Sequence, residues 1–210
     1  MVSSACYPDD VKEYGMHAMD DWHFVNKPYN VDGILNIMEN SNGDGLWAIN
    51  ETMKTLSHDD WHVSPDITFE KSFALKYLVH IVGDLHQPLH VTEMFSNEFP
   101  DGDLGGNRVY INADKGIYEL HALWDSGCYA LFEPPDRPLN STGWETIAET
   151  ARSYMNKFTR TTLADELSEK DRQLWADENF HLAIKYSYAG IKEHEKPSDA
   201  YIAACQGVVM

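Results

Sequence analysis

Apolar residues recur at helical spacing through most of the chain. Val11, Tyr14 and Met19 predict a helix over 9–22, which "NKPYNVDG" breaks. Leu46, Ile49, Met53 and Leu56 predict an amphipathic helix over 44–57. "SPD" at 64–66 is a start signal for a third helix, with Pro65 suited to its first turn. Phe69, Phe73, Leu75, Leu78 and Ile81 carry that helix toward Pro88. Residues 92–118 change character. "EFPDGDLGGNRVYINADKG" is rich in Gly, Asp and Asn around the strand-like run "RVYIN", and predicts one long loop or a short hairpin. Helix resumes over 119–132, and "EPPDRPLNSTG" reads as a linker. Further helices are predicted over about 144–160, 165–168 and 171–194, and a last one after Ser198, its cap. The expected fold is all-α: one domain over residues 1–210, a multi-helix bundle. The helical pattern runs to Met210 without a stop signal, so both ends read as cut.

Composition narrows the function classes. With 43% hydrophobic and 12% aromatic residues in 210, the chain can bury a core. No apolar run approaches the roughly 18 residues of a membrane-spanning helix. "MVSSACYPDD" has neither the basic start nor the apolar run of a signal peptide, which leaves the compartment open. The formal charge is −18, from 16 basic and 34 acidic residues. That excludes a protein that holds nucleic acid mainly by neutralising its phosphates. A phosphate substrate would have to be met locally, by metal ions. The cysteines, Cys6, Cys128 and Cys205, are too few and scattered for a thiolate zinc site, and their odd number leaves at least one without a partner here. Asn50-Glu51-Thr52 and Asn140-Ser141-Thr142 are glycosylation sequons.

One stretch, "YLVHIVGDLHQPLH", sets three histidines and an aspartate beside an apolar run. His80 and Asp84 stand at i and i+4, on one helical face. His121 and Asp125, in "ELHALWDSG", repeat the spacing on a second helix. His90 follows the Pro88 break, where the chain can turn a ring inward. "WHFVN" adds His23, and "CYPDD" adds Asp9 or Asp10. A single His-x-x-x-Asp pair is ordinarily a surface pair or a satisfied core hydrogen bond. Two pairs in apolar surroundings would cost several kcal/mol to bury, on the order of that for unpaired polar groups. Imidazole and carboxylate together suit zinc, and facing helices that each give a His and an Asp can build a polynuclear site. His17, His58, His62, His86, His181 and His194 have no such partner, and the six tryptophans are expected in the core.

"HIVGDLHQPLH", "LGGN" and "LHALWD", in that order, resemble the zinc-dependent single-strand nuclease and 3′-nucleotidase family, with "CYPDDVK" and "WHFVNKPYN" as its upstream motifs. The resemblance spans roughly residues 5–205, and "WHFVNKPYN" is most similar to the protozoan branch. It implies an all-helical fold with three zinc ions (Zn2+). Asp9, His23, His80 and Asp84 would hold the first, and His90, His121 and Asp125 the second. Asp84 would bridge to the third, whose other ligands in the family come from a mature N-terminal Trp and a nearby His. Two of the three sites are thus complete in this sequence, and family segments at both termini are expected to be missing. Cys6 would pair with a cysteine of such a segment or with Cys205.

The family reaction cleaves P–O3′ bonds of single-stranded DNA and RNA, leaving 5′-phosphates, and removes the 3′-phosphate of nucleotides. The resemblance implies that Asp9 orients the attacking water, while Lys12 could stabilise transition-state charge or be a solvated surface lysine. Phe24 matches the base-stacking position, though periodicity equally allows it a core place. Asn26 stands where many members bind the base with Asp, and an amide can both donate and accept. Asn107 would contact phosphate or shape its loop. Secretion or the cell surface is implied, with no stable protein partner and no membrane segment. The competing readings are a zinc-binding chain impaired in catalysis and a phospholipase C-like activity, which belongs to the same superfamily.

Overall fold

The computed structural model describes residues 4–35, 37, 43–58, 65–131 and 135–209. Among the described residues the fold is all-α, with one two-stranded sheet. The helices are α1 (Tyr7–Glu13), α2 (Gly45–Ser57), α3 (Pro65–Leu85), α4 (Pro88–Val91), α5 (Leu120–Asp125), α6 (Ser141–Lys157), α7 (Ala164–Ser168), α8 (Arg172–Leu182) and α9 (Asp199–Val209). The strands are β1 (Lys27–Asn30) and β2 (Thr92–Phe95). Residues 1–132 with 173–210 form one compact unit, and 133–172 form a second that carries α6 and α7.

Local chemistry explains most boundaries. The Asp44 side chain accepts the Trp47 N–H at 2.9 Å and starts α2. Asn140 caps α6 through the Gly143 N–H, so that helix begins inside the expected linker. Ser198 accepts the Tyr201 N–H at the start of α9, as its sequence predicts. The expected helix over 9–22 stops at Glu13. Gly15 takes φ +94°, a left-handed conformation that a glycine adopts without strain, and a short 3-10 turn then covers Asp20–His23. The expected 119–132 helix likewise stops at Asp125, where Gly127, Cys128 and Tyr129 all have positive φ. The expected 171–194 helix ends as a π-helical turn over Ala183–Ser187. Of the two alternatives for 92–118 the loop is observed, and "RVYIN" contributes one bridge, Tyr110 to Glu119. Ser64, Trp61 and His62 lie outside the described residues.

The larger unit holds two apolar clusters. In one, α2, α3 and α8 bury Ala48, Ile49, Tyr77, Ile81, Leu85 and Ala176. In the other, α5 and α9 bury Leu120, Leu123, Trp124 and Tyr201 around the Cys128–Cys205 disulfide. That pairing rules out Cys205 as the partner of Cys6, one of the two alternatives the sequence left open, and Cys6 is in no disulfide among the described residues. The Trp124 indole donates to the Tyr201 hydroxyl at 2.8 Å, which donates to the Ser187 carbonyl at 2.7 Å. The buried indole N–H and the buried phenol hydroxyl therefore each have a partner. Trp47 and Trp144, expected in the core, are nearly half exposed.

β1 and β2 run parallel, with Lys27 opposite Thr92 and Asn30 opposite Phe95. The same pairing continues upstream, where the Val25 N–H donates to the His90 carbonyl at 2.9 Å. The segment after His23 is therefore fastened to the segment after His90.

Candidate metal centre

α4 lies between the two clusters. Leu89 packs into one and Val91 into the other, which leaves His90 facing the space between them. α3 brings His80 and Asp84 to that space, the 3-10 turn brings His23, α1 brings Asp9, and α5 brings His121 and Asp125. Two donor groups result: Asp9, His23 and His80, and His90, His121 and Asp125, with the donor atoms of each group all within 4.8 Å of one another. Asp84 joins them. Its Oδ2 lies 3.1 Å from His23 Nδ1 and 3.2 Å from His80 Nε2, and its Oδ1 lies 3.7 Å from His90 Nδ1. The four imidazoles are mostly buried, whereas the Asp9 and Asp125 side chains are 58% and 49% exposed. The histidines form the floor and these two carboxylates the rim.

Backbone carbonyls set the histidine tautomers. His80 Nδ1 lies 2.6 Å from the Ala5 carbonyl, His90 Nδ1 2.9 Å from that of His23, and His121 Nδ1 2.7 Å from that of Gly105. A carbonyl only accepts, so each Nδ1 carries the hydrogen, and in the neutral ring each Nε2 presents a lone pair. His90 Nε2 and His121 Nε2 then face each other at 3.2 Å, with Asp125 oxygens at 3.4 and 3.5 Å. In the other group His80 Nε2 meets His23 Nδ1 at 3.0 Å and Asp9 Oδ1 at 3.4 Å. Acceptors gathered this closely need a proton or a cation between them. Zinc bonds imidazole and carboxylate at about 2.0–2.1 Å, which puts neighbouring tetrahedral ligands about 3.3 Å apart, close to these separations. The donor set fits zinc in number and kind, and the carbonyls supply the outer hydrogen bonds that orient metal-bound histidines.

The same crowding shifts the titration of these groups. Burial pulls the His80 pKa down, but hydrogen bonds and charge from Asp84 and Asp9 outweigh it and push it up to about 10. Burial raises the Asp84 carboxyl, yet its bonds to His23 and His80 hold it well below the ordinary carboxylate range. Burial pulls the His90 pKa down as well, but Asp125 and Asp84 outweigh it and raise it.

An open cavity of about 620 Å³ lies over both groups. Its walls include Lys12, Phe24, Asn26 and Asn107 beside Asp9, His23, Asp84, His90, His121 and Asp125. Phe24 belongs to neither apolar cluster among the described residues, and Asn26 takes φ +54°, a conformation Asn tolerates. The Asn107 amide donates to the Leu104 carbonyl at 2.8 Å, so Asn107 shapes its loop and also lines the cavity.

Sequence reasoning did not find the residues that hold this loop. Asp103 is fully buried, and its carboxylate accepts from the Met94 and Gly106 N–H groups at 2.8 and 2.9 Å and from the Tyr188 hydroxyl at 2.9 Å. Gly105 has φ +60°, and a Cβ there would collide with the Leu89 carbonyl oxygen. The loop can thus approach α4 closely and offer the Gly105 carbonyl to His121. An aspartate leading into Gly-Gly was the available signal for Asp103. The acceptor carbonyls carry no sequence signal.

The S1/P1 Nuclease family model matches residues 1–210. Endonuclease 2 of Arabidopsis thaliana is 24% identical over 214 residues, covering 95% of this chain and 69% of that protein. Endonuclease 1 of the same plant is 28% identical over 148 residues, 69% of this chain and 46% of the relative. Nuclease S1 of Aspergillus oryzae is 29% identical over 104 residues, 50% of this chain and 30% of that enzyme. The chain thus spans about two thirds of the first relative and less than half of the other two. With the family match over every residue and the all-helical frame around the two donor groups, this chain belongs to the S1/P1 nuclease family.

Proposed function

We propose that this protein is a zinc-dependent phosphoesterase that hydrolyses P–O3′ bonds of single-stranded DNA and RNA and removes the 3′-phosphate of nucleotides. The observation that carries the reading is the pair of His/Asp donor groups, joined through Asp84, beneath a cavity lined by Lys12, Phe24, Asn26 and Asn107. The printed names of the relatives, endonucleases and Nuclease S1, support the nuclease part.

Asp9, His23, His80 and Asp84 would hold one zinc ion, and His90, His121 and Asp125 a second. A third ion of the family would share Asp84. Bound zinc would supply Lewis-acid polarisation of the phosphate and water acidic enough to attack at neutral pH. The chain's own residues do the rest. Phe24 stacks an unpaired base, which a duplex cannot present, and Asn26 both donates to and accepts from the base edge. The Lys12 ammonium meets the charge that grows on the phosphate. Asn107 keeps one amide hydrogen on Leu104 and turns the other to a phosphate oxygen. Asp9, on the exposed rim, orients the attacking water and takes its proton. The water oxygen bonds to phosphorus as the P–O3′ bond breaks. O3′ leaves and takes up a proton, which gives a 3′-hydroxyl and a 5′-phosphate. The buried Cys128–Cys205 disulfide supports an oxidising compartment, in keeping with secretion or the cell surface.

The test is elemental analysis of zinc per chain on dialysed protein, beside hydrolysis of single-stranded and duplex DNA. The expected result is about two or more ions per chain, single strands cut, duplex spared, and activity lost to a chelator. Zinc without hydrolysis would favour a metal-binding chain impaired in catalysis. Hydrolysis of lecithin but not of single-stranded DNA would overturn the assignment.

A further inference from the structure

We infer that Gln87 is a positioning residue for the second donor group, fixing the Asp125 carboxylate against His90 and His121. This deepens the metal reading of His90, His121 and Asp125 and rests on it. Gln87 stands between α3 and α4, and its side-chain amide makes two bonds. Its Oε1 accepts the Leu89 N–H at the start of α4, and its Nε2 donates to Asp125 Oδ1 at 2.9 Å. A backbone N–H can only donate, so the Leu89 bond fixes which end of the amide faces α4. The NH2 end must then face Asp125.

Asp125 needs such a partner. It ends a six-residue helix, and its side chain is half exposed, free to rotate toward solvent. Its other near neighbours are His90 Nε2 and His121 Nε2, at 3.4 and 3.5 Å. In the neutral rings those nitrogens carry lone pairs, because both Nδ1 atoms are spent on carbonyls, so they hold the carboxylate only through a proton or a cation between them, whereas the Gln87 amide donates to it whatever their charge. Gln87 is the non-histidine donor to Asp125 among the described residues. It also links two segments that come together only in the fold: His90 lies three residues after it in chain order, while Asp125 is 38 residues away. One amide thus sets the turn that aims His90 and the rotation of the carboxylate that faces it. Outer partners of this kind are typically worth about 10–100-fold in metal affinity.

The variant that separates the two bonds is Gln87→Asn. Asn is as good a helix cap, so it keeps the Leu89 bond, but its amide is one methylene too short to reach Asp125. Zinc affinity would be measured on the whole chain by chelator competition, with Asp125→Ala identifying the second ion. The thermal midpoint of the zinc-free protein would be followed in parallel. Gln87→Asn is expected to weaken the second ion about tenfold or more, leaving the first ion and the zinc-free midpoint unchanged. Gln87→Met, which loses both bonds, should weaken the second ion at least as much and also lower the midpoint. A residue that merely caps α4 would leave the Asn variant with wild-type affinity, and that result, or equal loss of both ions, overturns the role. A wild-type chain with no ion that Asp125→Ala removes would instead sink the metal reading, and the role of Gln87 with it.

Discussion

At the scale of single residues, the feature that matters most is the direction of four imidazole rings. Three of them spend Nδ1 on backbone carbonyls, so their Nε2 lone pairs converge with carboxylate oxygens on common points. In the metal-free chain a proton takes the place of a cation. His80, pushed up to about 10, keeps that proton at neutral pH. Zinc uptake at pH 7 should therefore release it. Calorimetry in two buffers of different ionisation enthalpy is expected to report proton release at pH 7 and little above pH 10. The stability of the metal-free chain should follow the same groups. His80 is raised, so its contribution is full below its ordinary 6.5 and lost as pH climbs through about 10. Asp84 is lowered, so its contribution is full above its ordinary 3.8 and lost as pH falls toward its depressed value. Thermal midpoints of chelated protein should thus fall at both extremes, and a flat profile would contradict the pairing. Asp84→Asn, which removes charge from a side chain facing both groups, should lower phosphodiester hydrolysis by about 100-fold. Steady-state rates on single-stranded DNA beside zinc counts would check it.

At the scale of elements, the long helices were legible and the short pieces were not. α2 and α3 follow from apolar spacing, a capping Asp44 and Pro65 at the start. The strands are not legible in sequence because β1 and β2 have only four residues each and pair across more than sixty positions in parallel. A sequence window cannot see a partner that distant. The Asp103 loop has no regular pattern in sequence, yet its backbone is held by one buried carboxylate. Asp103→Ala would strand two N–H groups and a hydroxyl, at about 1–3 kcal/mol each when buried. A loss of about 3 kcal/mol or more is expected in denaturant melts. Weaker zinc binding by the His90 group should accompany it, since Gly105 would no longer be held against His121.

At the scale of the molecule, the donor groups lie between two apolar clusters, each of which fixes one group. The cluster around Tyr77 and Ile81 holds α3, and the cluster around Trp124 and Cys205 holds α5. The disulfide closes the second cluster across 77 positions. Cys205→Ser should therefore cost about 4 kcal/mol by loop-closure entropy. Equilibrium unfolding of the variant beside wild type would measure it, and a cost below about 1 kcal/mol would mean that packing alone holds α9. Chain-local information carries the chemistry: the long helices, the residue types that could hold zinc, and the excess of acid that leaves a phosphate to be met locally. Periodicity and side-chain type are local properties, carried by neighbours in the chain. Packing decided that Cys128 and not Cys6 bonds Cys205, and that backbone carbonyls and Gln87 aim the donors. Those outcomes depend on distances between segments far apart in the chain, which packing fixes and composition does not encode.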